Sequence, residues 1–340
     1  MNYNQLGKTG VLVSELCLGT MTFGGKGFWV PIGEVPQDEA TQIVKSSIDA
    51  GINFIDTANV YSEGLSEIIL GKAINDLGLN RQQLVIATKV RGRMGPHANQ
   101  VGLTRLHIID SVNDSLSRLE LSHIDLLYIH GVDPITPIEE TMRGLEEVVR
   151  SGKVRYIGVS NLPAWMMVKA NDYADKMGFE KFVATQNYYS VAGRDIEREI
   201  VPMAISEGIS IMPWSPLAGG FLSGKYTRTN EIAGESRRDS FDFPPVNKQK
   251  AYDIIDVMIE IGEKHNVTVA QVALSWVLKQ AGVTSVIIGA KNQHQLNDNI
   301  RSVNLALSSD ELLQLNQVSE LSSEYPAWMI SRQILGRFPS

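Results

Sequence analysis

The sequence predicts an α/β fold of the closed kind, a (β/α)8 TIM barrel with an N-terminal β-hairpin and a C-terminal tail helix. Three observations predict it. Short β-rich runs alternate with longer stretches of helical periodicity, which implies parallel strands joined by crossover helices. Eight such units fit in 340 residues, within the usual size of a barrel. An open doubly wound sheet, the competing arrangement, normally carries a Gly-rich dinucleotide turn after its first strand, and "GTMTFGGKG" at 19–27 contains no G-x-G-x-x-G.

In chain order, "QLGKTGVLVS" (5–14) reads as a short hairpin closing the bottom of the barrel. The strands follow at 15–19, 53–56, 84–89, 125–130, 154–160, 182–187, 209–214 and 285–290. Between and after them lie helices at 38–50, 64–77, 105–119, 138–151, 163–177, 196–207, 249–279 and 293–303. Gly51 stops the first helix, and Asn161 with an early Pro163 starts the fifth. No Pro- or Ser-rich linker and no short internal repeat divides the chain, so residues 1–340 are read as a single domain.

Composition narrows the function. With 43% apolar and 20% charged residues the chain has the make-up of a soluble globular protein. A formal charge of −7 argues against nucleic acid as a partner, since phosphate backbones demand a basic face. Cys17, the only cysteine, sits in the apolar run "SELCLGT" and reads as a buried side chain; it permits no intramolecular disulfide and no thiolate metal cluster. The N-terminus lacks a signal-peptide pattern, and no stretch of about 18 apolar residues marks a membrane span. The cytoplasm is the expected location.

In a barrel of this type the active site lies at the carboxyl ends of the strands. The second strand ends in Asp56, with Tyr61 just beyond; the third ends in Lys89 and the fourth in His130. Ser160 and Asn161 close the fifth, Gln186 the sixth, and Trp214 with Ser215 the seventh. Taken singly, Asp56 is a helix cap, Lys89 a solvated lysine and His130 a structural histidine. On one rim they converge. A phenol has a reference pKa near 10, too high for efficient acid–base work at neutrality, and a neighbouring ammonium lowers it. Lys89 supplies that ammonium, Asp56 pairs with it, and His130 offers an N–H to the same substrate oxygen. The set lacks a hydride donor, and one His with one carboxylate makes a poor metal site, so no metal is expected. The set reads as half of a carbonyl reductase, and the other half is expected to be a nicotinamide cofactor.

The segments "FIDTANVY", "IATK", "YIH" and "GVSN", in that order, resemble the aldo-keto reductases, and the resemblance covers nearly the whole chain. "MNYNQLGKTGVLVSELCLGTMTFGG" is similar to the bacterial and potassium-channel-β side of that family. The resemblance implies Tyr61 as general acid, Lys89 and Asp56 as the groups that tune it, and His130 as the group that orients the carbonyl. It places Thr20, Met21, Ser160, Asn161, Gln186, Trp214, Ser215, Leu217 and Gly219 along the nicotinamide and pyrophosphate, with Trp214 stacked on the ring. "IIGAKNQHQLNDN" (287–299) resembles the segment that grips adenosine, with Gly289, Lys291, Gln295 and Asn299 at the matching places. Ile288 stands where relatives often carry Pro. Lys291 occupies a position suited to a 2′-phosphate, which favours NADPH/NADP+ over NADH.

"GGFLSGKY" (219–226) satisfies G-x-x-x-x-G-K, but Tyr226 replaces the Ser or Thr that a phosphate-binding loop needs for Mg²⁺. It reads better as the start of a loop folding over the cofactor, with Lys225, Arg237 or Arg238 near its phosphates. Phe28 and Trp29 after the first strand, and Met94 after the third, are the expected substrate-pocket walls. The aromatic tail at 324–338 either closes the pocket or packs on another subunit of a homo-oligomer. The functional expectation is NADPH-dependent reduction of a small carbonyl compound; the alternative is a cofactor-sensing subunit of the channel-β type with slow, incidental chemistry.

Overall fold

A computed structural model describes residues 1–228, 238, 241–335 and 337. Strands β1 (Tyr3–Gln5) and β2 (Leu12–Ser14) form an antiparallel hairpin. Eight parallel strands follow: β3 (Leu16–Gly19), β4 (Phe54–Asp56), β5 (Val85–Val90), β6 (Ile124–Ile129), β7 (Val154–Ser160), β8 (Phe182–Tyr188), β9 (Ser210–Trp214) and β10 (Val286–Ile288). They run in the spatial order β10-β3-β4-β5-β6-β7-β8-β9. The ring closes through Ile211 on β9, whose N–H donates to Gly282 O at 3.1 Å and whose carbonyl accepts from Thr284 N at 2.9 Å. The eight strands foreseen from sequence are these eight, and the fold is the (β/α)8 barrel.

The helices are α1 (Gln37–Asp49), α2 (Leu65–Asp76), α3 (Arg105–Leu119), α4 (Ile138–Arg150), α5 (Ala164–Met177), α6 (Ile200–Glu207), α7 (Lys248–His265), α8 (Val269–Leu278), α9 (Gln293–Arg301), α10 (Ser309–Val318) and α11 (Ala327–Leu335). Two features depart from expectation. The stretch 249–279 is two helices, because Asn266 adopts a left-handed φ of 54° and Thr268 caps a new start by accepting from Gln271 N. And α10 was not foreseen, although Ser308 and Glu311 make a capping box ahead of "LLQL".

Two cores result. The larger lies between the outer faces of the strands and the helices. The smaller fills the barrel interior: Cys17, Phe54, Val85, Ala87, Leu126, Tyr128, Ala184, Met212 and Ile287, sealed below by Leu6 and Val13 of the hairpin. Gly7 anchors that plug; its φ of 56° places its N–H on Ser210 Oγ at 2.7 Å. Gly158 makes room for the buried Tyr128 ring, since a Cβ there would lie 2.7 Å from it. No helix among the described residues is long and apolar enough to cross a membrane.

Candidate active site

The strand period of two explains why the polar residues meet. Side chains at i, i+2 and i+4 share one face of a strand, so each interior column continues upward into a functional group. Phe54 leads to Asp56, and Val85 and Ala87 lead to Lys89. Leu126 and Tyr128 lead to His130, while Ala184 leads to Gln186 and Met212 to Trp214. Each column is apolar at the bottom and polar or aromatic at its last step.

Lys89 is wholly buried, and each of its three N–H groups finds an acceptor: Asp56 Oδ2 at 2.5 Å, the Thr57 carbonyl at 2.7 Å and the Tyr61 hydroxyl at 3.1 Å. Asp56 Oδ1 accepts from Gln186 Nε2 at 2.9 Å. Burial alone would pull the lysine down, but the charges of Asp56 and Tyr61 and their hydrogen bonds outweigh it and hold Lys89 above its ordinary value. Burial pushes the Asp56 carboxyl up, against the charge and hydrogen bond of Lys89 and the amide of Gln186. At 2.5 Å with every donor satisfied, we regard the pair as an ion pair, with Lys89 a fixed cation beside the phenol.

The His130 ring lies 5.8 Å from that of Tyr61, inclined at 75°. Burial, then the positive charges of Lys89 and Arg91, hold its imidazole well below the usual range. It is therefore neutral near pH 7 and carries a single ring N–H. Cys17 lies beneath these groups, fully buried; burial, with the nearby Asp56 charge, pushes its thiol well up, so it remains protonated.

A cavity of about 790 Å³ begins at Asp56, Tyr61 and His130 and runs over the barrel mouth to α9. Ser160, Asn161, Gln186 and Trp214 line its inner part; Trp214 Nε1 donates to Asn161 Oδ1 at 3.0 Å. Asn161 and Ser215 hold left-handed backbones, φ 56° and 52°, in the bends that turn the β7 and β9 ends into the cavity. Ser215, Leu217, Gly219 and Lys225 line the middle, and Gly289, Lys291, Gln295 and Asn299 the far end. Met21, Phe28 and Trp29 line it too.

Three expected residues, Thr20, Met94 and Arg238, are placed elsewhere. Thr20 is buried behind the wall, its hydroxyl against Ser66 Oγ at 2.9 Å and its N–H on the Asp56 carbonyl at 2.9 Å. Met94 is half-buried in the loop after β5 and is not among the lining residues. Arg237 lies outside the described residues. Arg238 is buried, donating to the carbonyls of Ala218 at 2.7 Å and Pro244 at 3.0 Å, so it braces the loop from within. The described tail residues stay off the cavity: Tyr325 is 75% exposed, and Arg198 holds the segment before α11 through Ser322 and Glu324.

Sequence reasoning missed Phe241 and Phe243, which return from the loop after β9 to line the cavity. Phe243 stacks on Trp214 at 5.6 Å and 11°, and Phe241 meets Phe28 edge-on at 5.4 Å. The alternation "FDFPP" was the available signal, an aromatic pair ahead of two prolines in an otherwise polar stretch. Thr268, His294 and Asp298 at the far end were missed as well; Asp298 accepts from Thr268 Oγ1 and Gln271 Nε2.

The donor set suits a dinucleotide of the nicotinamide type. Amide and hydroxyl groups and an indole plate stand at the inner end, a Gly-lined turn in the middle, and Lys291 beside an Asn-capped helix start outside.

The profile of the aldo/keto reductase family matches residues 15–320. The uncharacterised oxidoreductase YrpG of Bacillus subtilis is 39% identical over 329 residues, covering 94% of this chain and 96% of that protein. Versiconal hemiacetal acetate reductase of Aspergillus parasiticus is 34% identical over 345 residues, covering 93% and 96%. An Arabidopsis thaliana protein described as a "Probable voltage-gated potassium channel subunit beta" is 35% identical over 311 residues, covering 90% and 92%. With the barrel and its polar rim, these matches establish that the chain belongs to the aldo/keto reductase family, whose members generally use nicotinamide cofactors, and that it is an oxidoreductase acting on carbonyl or alcohol groups.

Proposed function

We propose that the protein catalyses NADPH-dependent reduction of an aldehyde or ketone to the alcohol, with Tyr61 as the proton donor. The observation that carries this reading is the placement of Lys89 Nζ between Asp56 Oδ2 at 2.5 Å and the Tyr61 hydroxyl at 3.1 Å, at the inner end of the cavity. A bound reduced nicotinamide supplies the hydride. The phenol of Tyr61 gives its proton to the carbonyl oxygen as negative charge develops there. Lys89, kept charged by Asp56, stabilises the phenolate left behind, and solvent returns the proton. Neutral His130 donates its N–H to the same oxygen, which fixes the carbonyl's orientation and shares the developing charge.

In this reading Ser160, Asn161 and Gln186 would hold the carboxamide, and Trp214 would lie against the nicotinamide ring. Lys225, which lines the middle of the cavity, would meet the phosphates. Lys291 meets the 2′-phosphate, which favours NADPH. The substrate is a small uncharged carbonyl compound with flat apolar surface. Phe28, Trp29, Phe241 and Phe243 wall the cavity near Tyr61, and among the described residues that line it there the one charged side chain is Asp56, which is paired with Lys89.

The test is the loss of NADPH absorbance with purified protein across aromatic, aliphatic, dicarbonyl and carboxylated aldehydes and ketones, with NADH beside NADPH. Steady turnover, fastest with uncharged aromatic carbonyls and NADPH, is expected. Tight NADPH binding without turnover on any carbonyl would replace this reading with the cofactor-sensing one, which the similarity to the potassium channel β protein favours.

A further inference from the structure

Three residues in succession after Tyr61 adopt left-handed backbone: Ser62 at φ 49°, Glu63 at 56° and Gly64 at 94°. Glycine accepts this conformation freely, whereas serine and glutamate are strained in it. Strain of this kind persists only where its surroundings over-determine it, and it concentrates at functional sites.

What holds the turn is Ser62. Its side chain is fully buried; its Oγ donates to the Phe23 carbonyl at 3.0 Å and accepts the Gly25 N–H at 3.0 Å. Those two groups belong to the loop that carries Phe28 and Trp29. The Trp29 ring in turn packs on Tyr61 at 5.1 Å. The contacts close a circuit, from Tyr61 through Ser62 to residues 23–25 and back through Trp29. One helical turn later Ser66 fixes the other end, donating to the Thr20 carbonyl at 2.8 Å and meeting Thr57 Oγ1 at 3.1 Å. The Lys26–Glu63 ion pair at 3.0 Å spans the same gap, but both side chains are more than half exposed, so it holds little.

We propose that Ser62 is a positioning residue for carbonyl reduction: it ties the Tyr61 phenol to the loop bearing Trp29, so that substrate seated against Trp29 also sets the acid. This rests on the reading of Tyr61 as proton donor. Ser62→Ala removes both hydrogen bonds and keeps the strained backbone preference; Ser62→Gly removes the bonds and relaxes the backbone.

The experiment measures kcat, KM, the NADPH dissociation constant and the melting temperature for both variants. Tyr61→Phe, Lys26→Ala, Trp29→Ala and the Ser62→Ala/Trp29→Ala double variant run beside them. Both Ser62 variants are expected to lose about tenfold or more in kcat, since small misplacements of a reacting group are costly. NADPH affinity stays at the wild-type value, and Lys26→Ala matches wild type throughout. Ser62→Ala and Trp29→Ala are expected to combine to less than the product of their separate losses, as coupled residues do. Full kcat in both Ser62 variants beside an inactive Tyr61→Phe would overturn the proposal, as would multiplicative losses in the double variant. A low-melting Ser62→Ala that no longer binds NADPH, beside a fully active Ser62→Gly, would assign the side chain to folding and overturn it equally. A Tyr61→Phe protein as active as wild type would remove the acid itself, and the proposal with it.

Discussion

The two ends of the cavity are built differently. At the inner end, Asp56, Lys89 and Gln186 are almost wholly buried, every donor of Lys89 is satisfied, and the groups rise from the interior columns of a closed sheet. At the outer end, Lys291, Gln295 and Asp298 stand on a loop and the first turns of α9, exposed or half-buried; the Lys291 backbone N–H donates to Gln295 Oε1, and Asp298 accepts from the Thr268 and Gln271 side chains. The inner end is tightly tied, because leaving one member of a buried ion pair without its partner is strongly unfavourable. On the proposed reading, removing a residue should therefore cost chemistry and stability together at the inner end, and affinity alone at the outer end.

Lys89→Met tests that contrast most severely. It leaves Asp56 buried without its cation, which costs about 3–5 kcal/mol in stability, and it removes the charge beside the phenol, so turnover falls about 10²–10⁴-fold. Denaturant unfolding and steady-state rates check the two halves separately. A variant as stable as wild type would mean that Asp56 takes a proton readily and that the pair is not the inner scaffold.

Lys291→Met addresses the other end. It should weaken NADPH about tenfold, roughly 1.4 kcal/mol, leave NADH binding unchanged, and leave kcat at saturating cofactor and the melting temperature near wild type. Fluorescence titration with both cofactors distinguishes this from a general loss of affinity. Trp29→Ala sits between the ends and sharpens the comparison. It should raise KM for aromatic carbonyls about tenfold, equivalent to one edge-on ring contact, with a smaller effect on aliphatic ones.

The subtlest difference lies in pH. Because His130 is held well below the ordinary imidazole value of 6.5, the kcat profile should show no limb there. Glu311 behaves oppositely to a buried pair. Burial pushes it up, but hydrogen bonds from Lys264, the Ser308 backbone and His265 hold it at about 2 against an ordinary 4.5. Its folded value is depressed, so its contribution to stability is complete above 4.5 and disappears as pH falls towards 2. Glu311 braces the end of α7 just before Thr268, which lines the outer end of the cavity. Wild type and Glu311→Gln should therefore differ in melting temperature at pH 7 and converge as the pH drops.

The inner end was legible in the sequence for a physical reason. A strand repeats every two residues, so "NFID", "LVIATK" and "DLLYIH" each announce an apolar column with a polar last step. Once the strands were counted, their tops had to meet. Phe241 and Phe243 were not legible, because a loop's return path is set by what it packs on, here Trp214 and Phe28, and not by any period. Thr20 shows the same limit on a smaller scale. It sits at the rim as expected, yet its hydroxyl turns back to Ser66, a choice made by the hydrogen bonds available and invisible in spacing. The break at Asn266 and the capping box of Ser308 were written in the chain, but each is a local signal weaker than the long helical periodicity around it.

The most direct measurement compares wild type with Tyr61→Phe, recording NADPH binding by fluorescence and turnover on the best carbonyl in the same preparation. The expected result is an unchanged NADPH dissociation constant with turnover reduced about 10²–10⁴-fold. Reduction as fast as wild type would show that the proton comes from elsewhere, and would leave the buried Asp56–Lys89 pair without the role assigned to it.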